Sequence, residues 1–599
     1  MKLLSLNSLG LALVVVGFAV SLGRVFAVSG IGTGEQGNQI IIAHWNLEPG
    51  YREAIQSVID DYEALPHVRA AGLTVSQASI TEKFYAQWLN THLVAGTAPD
   101  ISKRGKAQLT YDSNTARYFE PIGRYVAEPN PYNAPQYLPD GLDPRLAEFL
   151  ATRPWRATFI EGMDGGYMET LNDYYAVPTS FNSGIKLYFN RQLMRAAKDV
   201  AIDALAQDPR PTWLAVAIDE GFVIPDTGLH AWLSGDEPPL SLGQLVLVCE
   251  ASMVWAESVG RDNFMPIAGS SFTGWRFALS YQVPFTSPYG PAIDLNGDGA
   301  LSPDENAAAV AMGVFSLRDE RLRAFHACVH KLAGYFPPGY LALDRERANY
   351  RFVGGRAMII ASGAWDAQSL FNGAANPVGA EPFEIVIAGF PLPGPDEKWG
   401  GLITGKASEA DRESGSRFQV CQKSKHKHAA IDFLRFLTSY TVNQRFNQEA
   451  SWLPVIVGTR PDASIAAFAI DPAGTYPRMK ADINVLGGYI GSRYRGLLNQ
   501  YLTGDITYDA MVARIDEALE QERVGLNDAW FRAMTTQRDG NRNIERVIAA
   551  SDVRNHLLGR DGRAENRAGL LTNSVRQNNG NRPRALWQRA HPDRPFPDR

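Results

Sequence analysis

Along this chain, short apolar runs alternate with longer segments whose apolar positions recur every three to four residues. Gln39–Trp45 (QIIIAHW) is a short apolar run and predicts a buried strand, whereas Gly50–Leu65 has the amphipathic spacing of a helix. A second β signal runs from Leu73 to Ile80 and a helical one from Phe84 to Val94, after which Gly96-Thr-Ala-Pro-Asp100-Ile101 turns into a further short strand. This βαβα alternation is the mark of an open α/β layer architecture. Strand patterns return at Tyr174–Pro178, Gly184–Phe189, Arg356–Ala361 and Phe383–Ala388. Helical patterns return from Arg191 onward, at Ser241–Ser258, Asp304–Leu332 and Ala429–Thr438. No internal repeat is present.

With 599 residues and 65.8 kDa the chain exceeds one ordinary hydrophobic core, so two or more domains are expected. Its 45% hydrophobic and 20% charged residues exclude a largely disordered chain and a polytopic membrane protein. Three cysteines and no CxxC exclude a disulfide scaffold and a zinc ribbon. The N-terminus carries Met1-Lys2, an apolar stretch from Leu9 to Gly23 and the small-x-small Val25-Phe-Ala27. That pattern predicts a signal peptide over residues 1–27 and export, with a periplasmic location; an uncleaved membrane anchor is the alternative, given Arg24 beside the cut. Net charge is −6, but Thr535–Arg599 holds thirteen arginines against seven acids, leaving −12 for the rest. The basic segment 535–599 reads as a disordered tail, and the remainder shows no basic stripe that would demand nucleic acid.

Several segments, in order, carry a family resemblance. They are Phe84–Ile101 (FYAQWLNTHLVAGTAPDI), Tyr175-Ala-Val-Pro178, Leu187-Tyr-Phe-Asn-Arg191 and Pro211-Thr-Trp213. Phe352-Val-Gly-Gly-Arg-Ala-Met358 with Ser362-Gly-Ala-Trp365, and His428–Leu437 with Leu453-Pro454, complete the series. Over about Gln39 to Glu520 the chain resembles family 1 of the extracellular solute-binding proteins, the maltose-binding-protein-like, carbohydrate-binding group. The resemblance implies a two-lobed α/β fold of type II, a hinge between lobes, and a ligand cleft that closes on its occupant. It implies an N-lobe of residues 39–182 and 358–420 and a C-lobe of 183–357 and 421–534. It further implies a non-catalytic, monomeric protein that hands a carbohydrate to the permease subunits of an ABC importer.

Sugars present apolar C–H faces and a belt of hydroxyls, so their sites need flat rings and polar side chains together. Trp45, Asn46 and Glu48 follow the first strand, where strand ends open into the crevice of an α/β sheet. Lys103 and Arg104 follow Pro-Asp-Ile; two adjacent cations there suit a carboxylated sugar, with plain surface solvation as the alternative. By resemblance, Asn182 lies at the first crossing, Trp275 in Phe272-Thr-Gly-Trp275 is a stacking platform, and Trp365 and Asp366 follow the second crossing strand. Tyr489 and Arg493, with Tyr494, fall where the family brings a late aromatic to the ligand. Trp88, Trp213 and Trp255 lie in amphipathic helices and read as core.

One motif stands outside the resemblance. Asp294-Leu-Asn296-Gly-Asp298-Gly299-Ala300-Leu301-Ser-Pro-Asp-Glu305 fits a twelve-position calcium loop, with oxygens from Asp294, Asn296 and Asp298, the carbonyl of Ala300 and a closing Glu305. Prolines 284, 288 and 291 argue against a preceding helix, so a single structural Ca2+ loop, EF-hand-like but unpaired, is expected. No HExxH, G-x-S-x-G or P-loop is present. Two carboxylates such as Glu48 and Asp366 keep a secreted glycoside hydrolase as an alternative, and the tail keeps a calcium-stabilised scaffold protein as another.

Overall fold

The computed structural model describes residues 38–104, 112–168, 171, 173–181, 184–294, 301–404, 414–469, 480–486, 488–523 and 525–526. The strands in chain order are β1 (Gln39–His44), β2 (Thr74–Ser79), β3 (Ile101–Lys103), β4 (Tyr167–Met168), β5 (Asp173–Tyr174), β6 (Val177–Phe181), β7 (Lys186–Asn190), β8 (Ile359–Ser362), β9 (Ile385–Ala388) and β10 (Ser414–Val420). The chain forms two compact units, Met1–Ser183 with Arg412–Ala466, and Gly184–Asp411 with Ala467–Arg599. It therefore passes from one to the other three times.

The first unit holds a five-stranded sheet in the order β2-β1-β3-β10-β6. β1 runs parallel to β2 and β3, while β10 is antiparallel to both β3 and β6. β1, β3 and β6 thus end at one edge, where the chain leaves the sheet at His44, Lys103 and Phe181. β1 is buried at Ile40, Ile41, Ile42 and Ala43, which explains its continuous apolar run. The helix Tyr51–Ala64 buries Tyr51, Ala54, Ile55, Val58, Ile59 and Tyr62, the stripe its spacing predicts.

The second unit holds the three-stranded sheet β8-β7-β9, with β7 antiparallel to both neighbours. Its central helix, Leu242–Ser258, is apolar nearly all round and buries ten residues. The loop at Pro391–Pro395 has a partner in its start: Glu397 accepts from Ser241 Oγ (2.5 Å), Gly243 N (3.0 Å) and Gly394 N (2.9 Å). A carboxylate at a helix N-terminus meets free N–H groups and the positive end of the dipole. Gly243 is required there, because a Cβ would sit 2.4 Å from the Phe222 carbonyl oxygen.

Three expectations are corrected. Residues 358–411 belong to the second unit and 421–466 to the first, because β8 pairs with β7, and β10 carries the chain back. Asp304–Leu332 is two helices, Pro303–Ala311 and Glu320–Ala333, since Gly313 at φ 68° ends the first. A short helical turn, Gly290–Ile293, does precede Asp294; proline is accepted at its first turn. Trp88, Trp213 and Trp255 are partly buried against the unit cores. Among the described residues no helix is long and apolar enough to cross a membrane.

Buried His326 ties the second unit's core together. Its Nδ1 faces the Leu322 carbonyl at 2.6 Å, so that nitrogen carries the hydrogen and Nε2 accepts from Tyr494 Oη at 2.8 Å. Burial lowers its pKa to about 4, and burial lowers that of His44 in the first unit to about 4 as well. In the unfolded chain both bind a proton near pH 6.5, so their contribution is present above that pH and is lost as pH falls towards 4. Urea denaturation should lose on the order of 3 kcal/mol per histidine between pH 6.5 and 4. In His326→Gln that slope should be visibly shallower; an unchanged slope would show that His326 titrates normally.

Candidate functional site

At the edge where β1 and β3 end, the first unit gathers aromatic rings around one amine. Lys103, the last residue of β3, is 1% exposed. Its Nζ lies 4.3 Å from the Trp45 ring centroid, 5.1 Å from that of Trp452 and 5.6 Å from that of Tyr51. Nζ donates to Asn46 Oδ1, the side chain just beyond Trp45. Each ring comes from a different element. Trp45 follows β1, where its indole packs edge-on against Tyr85 at 4.9 Å. Tyr85 Oη donates towards the carbonyls of Lys103 (2.9 Å) and Ala43 (3.2 Å) and so ties the two strand ends. Tyr51 opens the helix after Gly50, whose φ of 87° turns the chain there, and its hydroxyl meets Ser416 Oγ of β10 at 3.1 Å. Trp452 follows Ser451, whose φ of 55° reverses the chain after the helix Tyr440–Glu449.

This arrangement is electrostatically costly. Burial lowers the Lys103 pKa to about 7; Glu48 and Glu82 oppose the drop and Arg417 reinforces it. Cation–π contact returns roughly 0.5–2 kcal/mol per ring, and a buried donor without acceptor costs about 1–3 kcal/mol. An ammonium has three donors. Only Asn46 accepts from this one among the described residues, and Trp452 Nε1 is buried without an acceptor. Arg104 is half-buried, and its backbone N–H donates to the Arg417 carbonyl at 2.7 Å.

The second unit builds its own set at the end of β8. Gly363 lets the Trp365 ring fold back onto the backbone: a Cβ there would lie 2.3 to 2.5 Å from three ring atoms. The ring is half-exposed, and its Nε1 is buried without an acceptor. Buried Asp366 accepts from Ser362 Oγ at 2.5 Å and stands 3.9 Å from Arg345 Nη1. Arg345 and Arg276 lie 6.0 and 4.8 Å from the Phe272 ring. Phe272 and half-exposed Trp275 share the first turns of the helix Ser271–Thr286, which Ser270 caps through Thr273 N. A chain of contacts thus runs from Asp366 through Arg345 to the Phe272–Trp275 turn. Flat rings beside polar and charged groups, some with open hydrogen-bonding capacity, suit a polyhydroxylated ligand.

The structure places the expected residues unevenly. Trp45, Asn46 and Lys103 converge, with Glu48 close enough to act on the ammonium. Trp365 and Asp366 sit together, linked to the helix of Trp275. Tyr489 (49% exposed) and Arg493 lie on the outer face of the helix Gly488–Leu502, with no contact to that set among the described residues. Tyr494 is core, held by His326. Asn182 lies outside the described residues, as do Asn296, Asp298 and Ala300 of the calcium loop. Its two ends are described: Asp294 and Glu305 are buried, and Glu305 accepts from Ser302 N at 2.8 Å in a capping box.

Tyr51, Trp452, Phe272, Arg276 and Arg345 went unrecognised in the sequence. Trp452 directly precedes Leu453-Pro454, so the motif pointed within one residue of it. Tyr51 occupies a helical core position by spacing, and only the fold shows its ring against Lys103.

The Lys103 box yields a prediction. With a folded pKa near 7 and an unfolded one near 10.5, the unfolded state binds more protons between those values, so stability rises with pH across that window. The cost is fully present below pH 7 and is on the order of 5 kcal/mol. Lys103→Met should be more stable at pH 7 by a few kcal/mol (~1–4) and should lose much of the rise between pH 7 and 10 in urea denaturation. Lys198, lowered to about 8 by burial, would add to the rise, and the buried Cys249 and Cys328 thiols, pushed up by burial, would oppose it above about pH 9. A variant less stable than the parent at pH 7 would show that the rings stabilise the ammonium outright.

No family model and no curated protein matches the chain. Solved structures do. One described as a chitin oligosaccharide binding protein is 15% identical over 81% of this chain and 99% of its own, with a TM-score of 0.49. The GacH receptor of Streptomyces glaucescens GLA.O is 15% identical over 81% of this chain and 98% of its own, with a TM-score of 0.49. RafE from Streptococcus pneumoniae is 12% identical over 83% of this chain and 99% of its own, with a TM-score of 0.46. The chain is a two-unit α/β protein that crosses between its units three times, with β10 inserted antiparallel between β3 and β6.

Proposed function

We propose that this chain is an exported, non-catalytic solute-binding protein that captures a carbohydrate, an oligosaccharide or uronide, and delivers it to an ABC importer. The observation that carries the reading is the pairing of flat rings with polar side chains at strand ends in each unit. Trp45 and Asn46 meet Lys103 in one, and Trp365 folds over Gly363 beside Asp366 in the other. The ordered motifs of the solute-binding family support it from the sequence side. Its N-terminal segment 1–27 is read as the export signal and the periplasm as the destination. Asp366, engaged by Ser362 and standing near Arg345, is better placed to position neighbouring groups than to act as a general acid.

The loop 294–305 is read as a structural calcium site. Its buried ends fit the role, Asp294 at a helical turn and Glu305 anchored at the start of a helix. Asn296, Asp298 and the Ala300 carbonyl would complete the oxygen set.

A thermal-shift screen of mono-, oligo- and uronic sugars on the chain lacking residues 1–27 tests the reading, with product analysis for turnover. A saccharide should raise the melting temperature without being cleaved; cleavage would establish the hydrolase instead. Trp275→Ala and Trp365→Ala should each weaken the best hit by about 1–3 kcal/mol, the loss of one stacking platform. Chelation should lower the melting temperature and added calcium restore it, an effect that Asp298→Ala removes. Indifference to both treatments would dismiss the metal.

A further inference from the structure

The donors at the end of β3 exceed their acceptors, and one of them carries charge. Lys103 is buried to 1% exposure and Trp452 to 7%. The ammonium has one acceptor, Asn46 Oδ1, and no carboxylate within ion-pair distance among the described residues; the Trp452 indole N–H has no acceptor at all. The rings of Trp45, Tyr51 and Trp452 face the charge but offer no lone pairs. Tyr51 and Trp452 are buried, and Trp45 is the one half-exposed ring of the three.

We propose that this box receives an anionic oxygen of the ligand, a carboxylate on a uronic-acid-type saccharide, between the Lys103 ammonium and the Trp452 indole N–H. The inference rests on the carbohydrate reading above and narrows it to acidic sugars. A neutral hydroxyl has lone pairs for both donors but leaves the buried charge unpaired, whereas a carboxylate serves the donors and the charge together. The surroundings match. Arg417 on β10 adds positive potential at the ammonium, and Arg104 follows directly in the chain. Glu48 after β1 and Glu82 at the start of the helix Glu82–Ala95 act on the ammonium in the opposite sense, without pairing with Nζ. His44, the last residue of β1, is neutral above pH 4 and so adds no charge near neutrality. The Tyr51 and Tyr85 hydroxyls stay protonated, because burial pushes both pKa values upward.

The free ammonium is charged below pH 7 and loses its proton above it, while a uronate stays ionised throughout. Preference for acid over neutral sugar must therefore be greatest at low pH. The test is calorimetry on the chain lacking residues 1–27, with trisaccharides of glucuronic, galacturonic and mannuronic acid and their uncharged hexose counterparts, at pH 6 and pH 8.5. One acidic trisaccharide should bind at least tenfold more tightly than its neutral partner at pH 6, and the ratio should shrink severalfold at pH 8.5. Lys103→Met should abolish the ratio; should that variant not fold, the pH comparison on the parent decides alone. Equal or tighter binding of the neutral partners overturns the proposal while leaving the carbohydrate reading intact. An acid preference unmoved by pH overturns Lys103 as its source. No binding by any trisaccharide rejects the carbohydrate reading and this proposal with it.

Discussion

The first unit depends on a strand that the chain delivers late. β10 lies between β3 and β6 and hydrogen-bonds to both, yet residues 184–411 intervene between β6 and that strand. Until residue 420 is in place, the sheet stops at β3 and Val177–Phe181 has no neighbour of its own. The inserted strand also supplies Ser416 to Tyr51 and Arg417 to the backbone of Arg104. Completion of the sheet and assembly of the ring of side chains around Lys103 are therefore one event. Long-range pairings of this kind must overcome loop-closure entropy before they contribute stability.

On that edge, the same feature that costs stability supplies chemistry. A lysine at the end of a buried strand finds two buried rings and one half-exposed ring instead of solvent. The carboxylates that act on it, Glu48 and Glu82, stop short of pairing with it. Strongly perturbed titratable groups of this kind cluster at functional sites. In the second unit the polar groups are better balanced, since Asp366 has both Ser362 and Arg345. The indole N–H of Trp365 beside it has no acceptor among the described residues.

Most of the elements were legible because their cause is local. β1 is continuously apolar and lies inside the sheet; the helix Tyr51–Ala64 shows its buried stripe at the expected spacing. What failed was non-local. The assignment of 358–411 could not be read from composition, because β8 looks the same whichever sheet it joins. Trp45 and Asn46 were recognisable from their place just beyond a strand, whereas Lys103, after Pro-Asp-Ile, and Trp365 and Asp366, after the second crossing strand, were pointed to by the family resemblance. Tyr51 and Trp452 were not, since a ring on a core stripe and one after a left-handed serine declare their contacts only when distant elements meet. Tyr489 and Arg493 rested on the family resemblance alone, and both are exposed.

Gly363 sets a dimension as well as a contact. Because the indole of Trp365 lies directly on the backbone there, the plane it offers sits as low as the chain allows. A single methyl at that position would meet the ring and push it outward. Position 363 thus sets how close to the backbone the Trp365 indole can lie, and with it how far that indole stands out from the end of β8.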